Sequence, residues 1–333
     1  MSAESVCVAV PVRDEASTIA AALESLVTQT LPAERIELLV YDGLSNDDTK
    51  AICERFRERR PWRRFAVESN PQRVVPDALN AALASTTAPF FTRLDGRTSL
   101  SPRYLERCVA HVCSAGRRSA AGGLLVADAE GAIASAIAAA VTHPLGVGRG
   151  FRTLRSGPSE VPHHPFAIWH TDLVREAGGF DVRLVRNQDD EFSMRAARHG
   201  ARIEVIPGAY VTYRPRERFR GLASQYFQYG LWKAAVGRRK GLFPLRSLAP
   251  AAVTVAACVA AAAAARGRPT IAFGYLSAYG ASGAVAARAR AGAPWPLVGA
   301  ALMTMHAAYG AGLLLGAARP GLTETALGQG RVR

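Results

Sequence analysis

The stretch VCVAVPVRDE, residues 6–15, decides the fold, because an unbroken apolar run leads directly into three charged residues. The run Val6–Val12 contains several β-branched side chains, which is typical of a strand buried on both faces of a parallel sheet. Residues 16–29 follow with apolar side chains at helical spacing. The alternation then repeats, with strands predicted at residues 36–41, 65–68 and 89–94, and helices at residues 47–60, at residues 74–84 and from Ser101 and Pro102 onward. This pattern predicts an α/β fold with a doubly wound parallel sheet.

Acidic residues follow three of the predicted strands. Glu15 comes after the first strand, Asp42 after the second and Asp95 after the fourth. In open α/β sheets, ligands bind beyond the carboxyl ends of the strands. Carboxylates placed there can accept hydrogen bonds from a base or a ribose, and one can hold a divalent cation against a diphosphate. Any one of these acids could be a helix cap or a turn residue, but three at one edge predict a ligand site. The sequence contains neither GxGxxG nor GxxxxGK[ST], which argues against a dinucleotide site and a P-loop.

Together with motifs further along the chain, these residues resemble glycosyltransferase family 2. The resemblance rests on Pro11 to Glu15, Asp42-Gly43, Asn80, Arg93-Leu94-Asp95-Gly96, Gly178-Gly179-Phe180-Asp181 and Gln188-Asp189-Asp190-Glu191. It covers about two-thirds of the chain, from residue 6 to residue 233, and is greatest with the membrane-associated, succinoglycan-type glucosyltransferases of bacteria. Six motifs in the family's order are a specific signal. The resemblance implies an α/β, GT-A nucleotide-sugar transferase fold, which is a Rossmann-like mixed sheet.

The resemblance also implies roles for individual residues. The nucleotide-sugar site would be formed by Pro11, Val12, Arg13, Glu15, Asp42, Arg93, Asp95 and Arg97. Asp189 would be the catalytic base, and Asp190, Gln225 and Trp232 would lie on the acceptor or membrane side. Asp95 is the one acid of a DxD-type motif and would bind Mg²⁺ or Mn²⁺. Arg97 cannot bind a metal but could pair with a phosphate, which leaves metal dependence open.

The pair His163 and His164 stands outside these motifs. It could form part of a metal site or contact the acceptor. A polar role for His164 in an acceptor loop is favoured, because a metal site needs more ligands than the sequence places nearby.

One carboxylate on the acceptor side and one on the donor side meet the needs of inverting transfer. A base such as Asp189 removes the proton of the acceptor hydroxyl as the oxygen attacks the anomeric carbon. The leaving nucleoside diphosphate needs charge neutralisation rather than an acid. The acids at residues 189–191 also suit the N-terminus of a helix over residues 192–198, and a helix start can hold a base as well.

The C-terminal part of the chain has a different composition. The net charge is +14, and residues 214–240 contain eight basic residues and one acid, Glu217. Uncharged stretches follow at residues 247–265, 269–287 and 291–318, each near the length of about 20 residues that crosses a bilayer as a helix. A basic segment before apolar helices is typical of a cytoplasmic membrane face. Nucleic acid is not expected as a partner, since no nucleic-acid motif accompanies the basic residues. The alternative is a buried helical bundle in a soluble protein.

These observations predict four segments. They are a GT-A domain (residues 1–212), a basic juxtamembrane segment (213–246), about three transmembrane helices (247–318) and a polar tail (319–333). Because residues 1–10 lack the pattern of a signal peptide, the catalytic domain is expected in the cytoplasm, at the cytoplasmic membrane.

The predicted function is that of an inverting glycosyltransferase in polysaccharide biosynthesis, which moves a hexose from a UDP-sugar to a glycan or lipid-linked acceptor. Two alternatives remain. One is a polyprenyl-phosphate sugar synthase, and the other is a catalytically silent membrane scaffold of the same fold.

Overall fold

The computed structural model describes residues 4–148, 150, 152, 157–241 and 245–323. These residues form two compact units. The first unit contains the described residues up to Val126 and those from 157 to Tyr213, and the second contains those of the segment Ala127–Arg152 and those from Arg214 onward. Most of the predicted polar tail, residues 324–333, lies outside the described residues, as do residues 1–3 of the predicted GT-A domain.

The first unit is built on a sheet whose first half is parallel. Its strands are β1 (Val6–Val12), β2 (Ile36–Asp42), β3 (Arg64–Ser69) and β4 (Phe90–Arg93), in the order β3-β2-β1-β4. β1 pairs in parallel with both β2 and β4, and all seven of its residues are buried. The four strands predicted from the sequence are therefore confirmed.

The second half of the sheet is largely antiparallel. Its strands are β5 (Thr98–Leu100), β6 (Ser119–Ala127), β7 (Ser159–Glu160), β8 (Ile168–His170) and β9 (Arg202–Tyr213). The order continues β4-β8-β6-β9-β5, with β7 beside β9, and β8 runs antiparallel to β4 and to β6. The sheet is therefore mixed, as the GT-A resemblance implied, and not wholly parallel, as the alternation of strands and helices alone suggested.

Six helices belong to the first unit. They are α1 (Ile19–Val27), α2 (Thr49–Glu54), α3 (Val75–Ser85), α4 (Tyr104–Ala115), α7 (Thr171–Glu176) and α8 (Gln188–Arg198), and α5 and α6 belong to the second unit. The helix predicted for residues 47–60 ends at Glu54, and the short 3₁₀ helix Arg57–Arg59 follows it. α4 begins at Tyr104, slightly after the predicted start, because Ser101 and Pro102 form the turn before it.

An aromatic cluster fixes α8 to the sheet. The Phe192 ring on α8 lies 5.0 Å from the Trp169 ring on β8 and 4.8 Å from the Phe180 ring. All three side chains are buried in the same core cluster. Because Phe192 is held in this way, the first turn of α8 has a defined position beside the sheet.

The second unit is helical. It contains α5 (Ala132–Thr142), α6 (Pro144–Val147), α9 (Phe219–Lys240), α10 (Ala249–Ala265), α11 (Pro269–Ala287) and α12 (Trp295–Ala318). The three uncharged stretches of the sequence thus correspond to α10, α11 and α12. Within the described residues, α12 is the one helix long and apolar enough to cross a membrane, judged by length and composition, and α10 is apolar but shorter.

The segment Ala127–Arg152 belongs to the helical unit although it interrupts the first unit in sequence. Arg290, in the turn between α11 and α12, donates hydrogen bonds to the carbonyl oxygens of Ala127 (2.9 Å) and Ala129 (3.1 Å). α5 packs against α12 through side chains such as Ile137 and Leu302. Sequence patterning did not predict this insertion, since the long helices against which α5 packs, α9, α11 and α12, all follow it by more than 70 residues in the chain.

Candidate active site

Hydrogen bonds between the loops after β1 and β2 hold the two loops together. The Glu15 amide donates to Thr49 Oγ1 at 2.8 Å, and the Asn46 amide donates to Asp14 Oδ1 at 2.8 Å. Asp14 has a φ of 51°, in the left-handed region that non-glycine residues rarely adopt. Such strain persists only where surrounding contacts enforce it, and it is concentrated at functional sites. The Glu15 backbone is therefore fixed by contacts on both sides.

The ends of β1 and β2 lie side by side. Pro11 pairs with Tyr41 and Val12 pairs with Asp42 in the sheet register. The Gly43 amide donates to the Val12 carbonyl at 2.8 Å, which continues the pairing beyond β2. The predicted nucleotide-binding residues of the first two strands therefore share one sheet edge.

Asp42 serves the turn that follows β2. It is 4% exposed, and its carboxylate accepts hydrogen bonds from the Ser45 amide (3.1 Å) and the Ser45 hydroxyl (2.5 Å). This shapes the loop that crosses to Asp14. A contact of Asp42 with a nucleobase or ribose stays a prediction.

The loop after β4 reaches the same sheet edge, where its residues Gly96 and Arg97 contact Glu15. The Arg97 Nε lies 3.6 Å from Glu15 Oε1. A Cβ on Gly96 would overlap the Glu15 carboxylate, so a larger residue there would displace the Glu15 side chain. Burial, and then the neighbouring charge of Asp95, raises the pKa of Glu15 to about 7.

Arg93 connects this edge to α8. Its side chain is 10% exposed, and its Nη2 donates to Asp95 Oδ2 at 2.9 Å. The guanidinium carbon lies 5.7 Å from the centre of the Phe166 ring, within range of a cation–π interaction. The Arg93 charge also acts on Asp189 in the first turn of α8.

Asp189 is half-buried, and burial alone would raise the pKa of its carboxyl. The positive charges of Arg93 and then of His163 outweigh this effect and hold the pKa of Asp189 below its ordinary value. Asp189 is therefore an ionised carboxylate at neutral pH. The structure thus brings Arg93, Asp95 and Asp189 into one electrostatic neighbourhood, although the sequence places the last almost 100 residues after the first two.

The other two acids of this turn have different surroundings. Glu191 is fully buried, and its two carboxylate oxygens accept hydrogen bonds from Arg195 Nε and Nη2, both at 2.8 Å. Asp190 Oδ1 lies 3.7 Å from His163 Nδ1. Glu191 is thus engaged in a structural ion pair, whereas Asp190 lies beside a histidine that also influences Asp189.

The Gly178-Gly179-Phe180-Asp181 motif supports α8. Asn80 on α3 forms two hydrogen bonds of 2.8 Å with the main chain of Phe180, one to its oxygen and one from its amide. Arg195 on α8 donates to the Gly179 carbonyl at 2.8 Å. Gly179 has a φ of +64°, and a Cβ there would lie 2.6 Å from Asn80 Oδ1. The motif is therefore a scaffold that joins α3 to α8.

His164 lies in the interior and not at a surface that an acceptor could reach. It is 2% exposed, its Nδ1 accepts from the Phe166 amide at 3.1 Å, and its Nε2 lies 2.7 Å from the Gly123 carbonyl. These bonds assign the proton to Nε2 and use both ring nitrogens. The neighbouring His163 is the histidine near the acids of α8, and no sequence pattern distinguished it from His164.

Gln225 and Trp232 lie on α9, in the second unit. Gln225 Nε2 donates to the Tyr229 hydroxyl at 3.0 Å, and Trp232 is 2% exposed. Arg13 remains in the first unit, with its Nε 3.6 Å from Asp14 Oδ2. The predicted acceptor-side residues are divided between the two units, because His164 and Asp190 lie in the first unit and Gln225 and Trp232 in the second.

The donor set suits a cation held mainly by its substrate. Among the described residues, no group of three or more His, Cys, Asp or Glu side chains is arranged to hold a metal. The Asp95 side chain is 37% exposed, and the Arg93 contact engages one of its two oxygens. Mg²⁺ is commonly bound by one or two carboxylates together with phosphate oxygens and water. The site fits that mode and does not fit a metal cage made wholly of protein.

Comparisons with known proteins find related glycosyltransferases. Residues 7–162 match the model of the family described as Glycosyl transferase family 2. The succinoglycan biosynthesis protein ExoA of Rhizobium meliloti (strain 1021) is 28% identical over 323 residues, which cover 94% of each chain. A dolichyl N-acetyl-alpha-D-glucosaminyl phosphate 3-beta-D-2,3-diacetamido-2,3-dideoxy-beta-D-glucuronosyltransferase of Methanococcus voltae is 21% identical, and the match covers 74% of this chain and 77% of that one.

Solved structures show the same fold. The structure of S. aureus TarS 1-349 has a TM-score of 0.50 and 20% identity, and the match covers 67% of this chain and 65% of that chain. The same protein in complex with UDP-GlcNAc gives a TM-score of 0.50 with 16% identity, and the match covers 95% of this chain and 92% of that chain. The mixed sheet, the sheet-edge acids, the family match over residues 7–162 and the similarity to a succinoglycan biosynthesis protein over 94% of the chain together support a glycosyltransferase of family 2 with a GT-A fold.

Proposed function

We propose that this glycosyltransferase transfers a hexose from a UDP-sugar to a glycan or lipid-linked acceptor, with inversion, in the synthesis of a polysaccharide. The observation that carries this proposal is the arrangement around Arg93, which binds Asp95 and holds Asp189 ionised. The role in polysaccharide synthesis is supported by similarity to a succinoglycan biosynthesis protein along nearly the whole chain.

The donor side would be formed by the edge shared by β1, β2 and the loop after β4. Pro11, Val12 and Arg13 would border the base and ribose, and Asp42 would contact them. Arg97, which is half exposed, would approach the diphosphate as a cation. Asp95 would hold Mg²⁺ or Mn²⁺, and a bound cation would neutralise charge on the departing diphosphate.

The acceptor side would use Asp189 as the base. One carboxylate oxygen of Asp189 takes the proton of the acceptor hydroxyl. At the same time the acceptor oxygen bonds to the anomeric carbon, and the bond between this carbon and the diphosphate oxygen breaks. The electron pair of the broken bond leaves with the nucleoside diphosphate. A carboxylate with a depressed pKa is a weak base, so proton transfer is expected late, when the attacking hydroxyl has already become acidic.

Asp190 would assist through His163, whose Nδ1 lies 3.7 Å from its carboxylate. Asp190 belongs to the first turn of α8 and His163 lies beside that turn, where the acceptor hydroxyl would arrive. The positive charge of the protonated His163 is part of what depresses the pKa of Asp189, because it favours the carboxylate.

The helical unit would attach the enzyme to the cytoplasmic membrane, with the catalytic domain in the cytoplasm. Support comes from α12, which has the length and composition of a membrane span, and from the basic residues at 214–240. The domain boundaries at residues 212, 246 and 318 remain part of this proposal.

The test uses the purified full-length chain with a panel of nucleotide sugars, a bacterial lipid extract and Mg²⁺ or Mn²⁺. Release of the nucleoside diphosphate is followed for the wild type, for Asp189→Asn and for the surface control Asp172→Asn, whose side chain is 67% exposed on α7. We expect release with at least one UDP-sugar by the wild type and the control, and strongly reduced release by Asp189→Asn. Equal release by all three chains would contradict the role of Asp189. Turnover of a non-UDP donor alone would contradict the assignment of the nucleotide.

A further inference from the structure

Large apolar side chains are exposed along the hairpin formed by α10 and α11. Phe273 is 74% exposed and Leu276 is 56% exposed, both on α11, and Val259 on α10 is 56% exposed. Further members of the set, each about half exposed, are Val255, Ile271 and Val285. Exposed large apolar side chains grouped on two neighbouring helices are characteristic of a site that contacts a membrane or another protein.

α12 has the opposite environment. Its buried side chains include Val298, Leu302 and Met305, and it packs against α5, α9, α10 and α11. Small residues permit close approach: Gly312 lies against the Phe227 carbonyl of α9, and a Cβ on Gly283 of α11 would lie 2.5 Å from the Gly299 amide nitrogen of α12. The helix whose composition most resembles a membrane span is thus packed against four other helices along much of its length, with Trp295 and Leu314 about half exposed, whereas the hairpin carries six exposed large apolar side chains.

The charged residues of the hairpin itself have one sign. The sequence contains no acidic residue from 218 to 323. Arg266 and Arg268 flank the turn between α10 and α11, beside a groove of about 560 Å³ whose other lining residues are Val259, Ala262, Ala263 and Ile271. Two cations next to an apolar wall match the chemistry of an anionic lipid, with a phosphate for the arginines and an acyl chain for the wall.

We propose that the α10–α11 hairpin is the surface of the helical unit that enters an anionic bilayer, with Arg266 and Arg268 binding lipid phosphates. The inference rests on the membrane attachment proposed above and specifies the surface and the lipid charge. A second copy of the chain fits this surface less well, because the cationic turns would repel each other.

The chain offers a native probe for the test. Cys258 is exposed near the middle of α10, and Cys113 is exposed on α4 in the first unit. A Cys113→Ser chain would be labelled at Cys258 with an environment-sensitive fluorophore, and a Cys258→Ser chain would be labelled at Cys113 as the matched control. Both would be bound to vesicles of phosphatidylcholine and phosphatidylglycerol, with and without lipids that carry a nitroxide quencher on the acyl chain.

We expect acyl-chain nitroxide to quench the label at Cys258 several-fold more than the label at Cys113, and aqueous iodide to show the reverse order. The Phe273→Ser/Leu276→Ser double variant should lower vesicle binding about tenfold with an unchanged melting temperature. Arg266→Gln/Arg268→Gln should lose the preference for phosphatidylglycerol. If iodide quenches Cys258 in vesicles, or if Cys258 of two copies cross-links while nitroxide has no effect, the proposal is overturned.

Turnover of nucleotide sugars measured in the same preparation separates the two proposals. Nitroxide quenching at Cys258 supports the hairpin surface whether or not sugar is transferred. Transfer without quenching overturns the hairpin surface and leaves the proposed enzymatic function in place.

Discussion

Glu15 at the sheet edge and Asp189 on α8 are both carboxylates with arginine neighbours, and their pKa values shift in opposite directions. Glu15 is buried beside another carboxylate, Asp95, so its pKa rises to about 7 although Arg97 lies 3.6 Å away. Asp189 is also penalised by burial, but Arg93 and then His163 hold its pKa below the ordinary value. Burial is the largest influence on both carboxyls, and the outcomes differ because Asp95 adds to its effect at Glu15, whereas Arg93 and His163 outweigh it at Asp189.

The opposite pKa shifts suit Glu15 and Asp189 to different roles. A carboxylate held ionised next to an acceptor site can take a proton, whereas one that is half protonated near neutral pH suits a structural contact within a loop. Opposed pKa shifts in neighbouring acids are a general means by which one fold separates acid and base roles. Substitutions at and around Glu15 and Asp189 test this contrast.

The largest effect is expected from Asp189→Asn. The amide cannot accept the proton of the acceptor hydroxyl, so the turnover number should fall about 10²–10⁴-fold, the usual contribution of general base catalysis. Donor affinity should stay near that of the wild type, as measured by titration with UDP. An unchanged turnover number would show that Asp189 is not the base.

A large effect of another kind is expected from Glu191→Ala, two positions further along α8. The change leaves Arg195 buried without the carboxylate that binds it at 2.8 Å, and breaking a buried pair costs about 3–5 kcal/mol of unfolding free energy. Urea unfolding followed by circular dichroism measures this cost. If Glu191→Ala is as stable as the wild type, the structural role assigned to Glu191 is wrong.

An intermediate effect is expected from Arg93→Gln. Loss of its charge should raise the pKa of Asp189, so the acidic limb of the profile of turnover number against pH should move to higher pH. Weakened support of Asp95 should also reduce turnover, by about tenfold to a hundredfold. Arg93→Lys, which keeps the charge, should restore the position of the acidic limb at least in part. A pH profile of the same shape in the wild type and both variants would show that the charge of Arg93 does not lower the pKa of Asp189.

The smallest effect is expected from Glu15→Gln and concerns stability. Between about pH 4.5 and 7 the folded chain retains a proton on Glu15 that the unfolded chain has lost, so wild-type stability decreases as the pH rises through this range. Glutamine does not titrate, so the variant lacks this loss. As the pH rises from 4 to 8, the unfolding free energy of the variant should increase by about 1–3 kcal/mol relative to that of the wild type. Urea unfolding at several pH values tests the difference, with the exposed Glu58→Gln as control. A constant difference between the variant and the wild type would contradict the raised pKa of Glu15.

Much of the parallel half of the sheet could be predicted from sequence, because a strand buried on both faces produces an unbroken apolar run such as Val6–Val12. The strands of the second half were not predicted individually. β7 and β8 have two and three residues, too few to show a period, and their pairing is set by partners far away in the chain. The insertion of α5 into the helical unit escaped prediction for the same reason.

The candidate site was predictable in its residue types more than in its partners. Strand ends pointed to Glu15, Asp42 and Asp95, because chain order alone places those ends at one sheet edge. The link from Arg93 to Asp189 depends on how β4 and α8 approach in space, which no local pattern encodes. Likewise, two adjacent histidines look alike in sequence, and only burial shows that His164 is used by the main chain while His163 faces Asp190.

The anomeric configuration of the product tests the central claim most directly, since a single base at Asp189 requires one in-line displacement. The α-configured UDP-sugar that the donor panel identifies would be supplied with an acceptor, and the new linkage would be assigned by proton NMR from the coupling of its anomeric proton. We expect a β-linked product from the wild type, because one displacement inverts the configuration at the anomeric carbon. An α-linked product would mean retention, which one displacement assisted by Asp189 cannot give, and would contradict the mechanism.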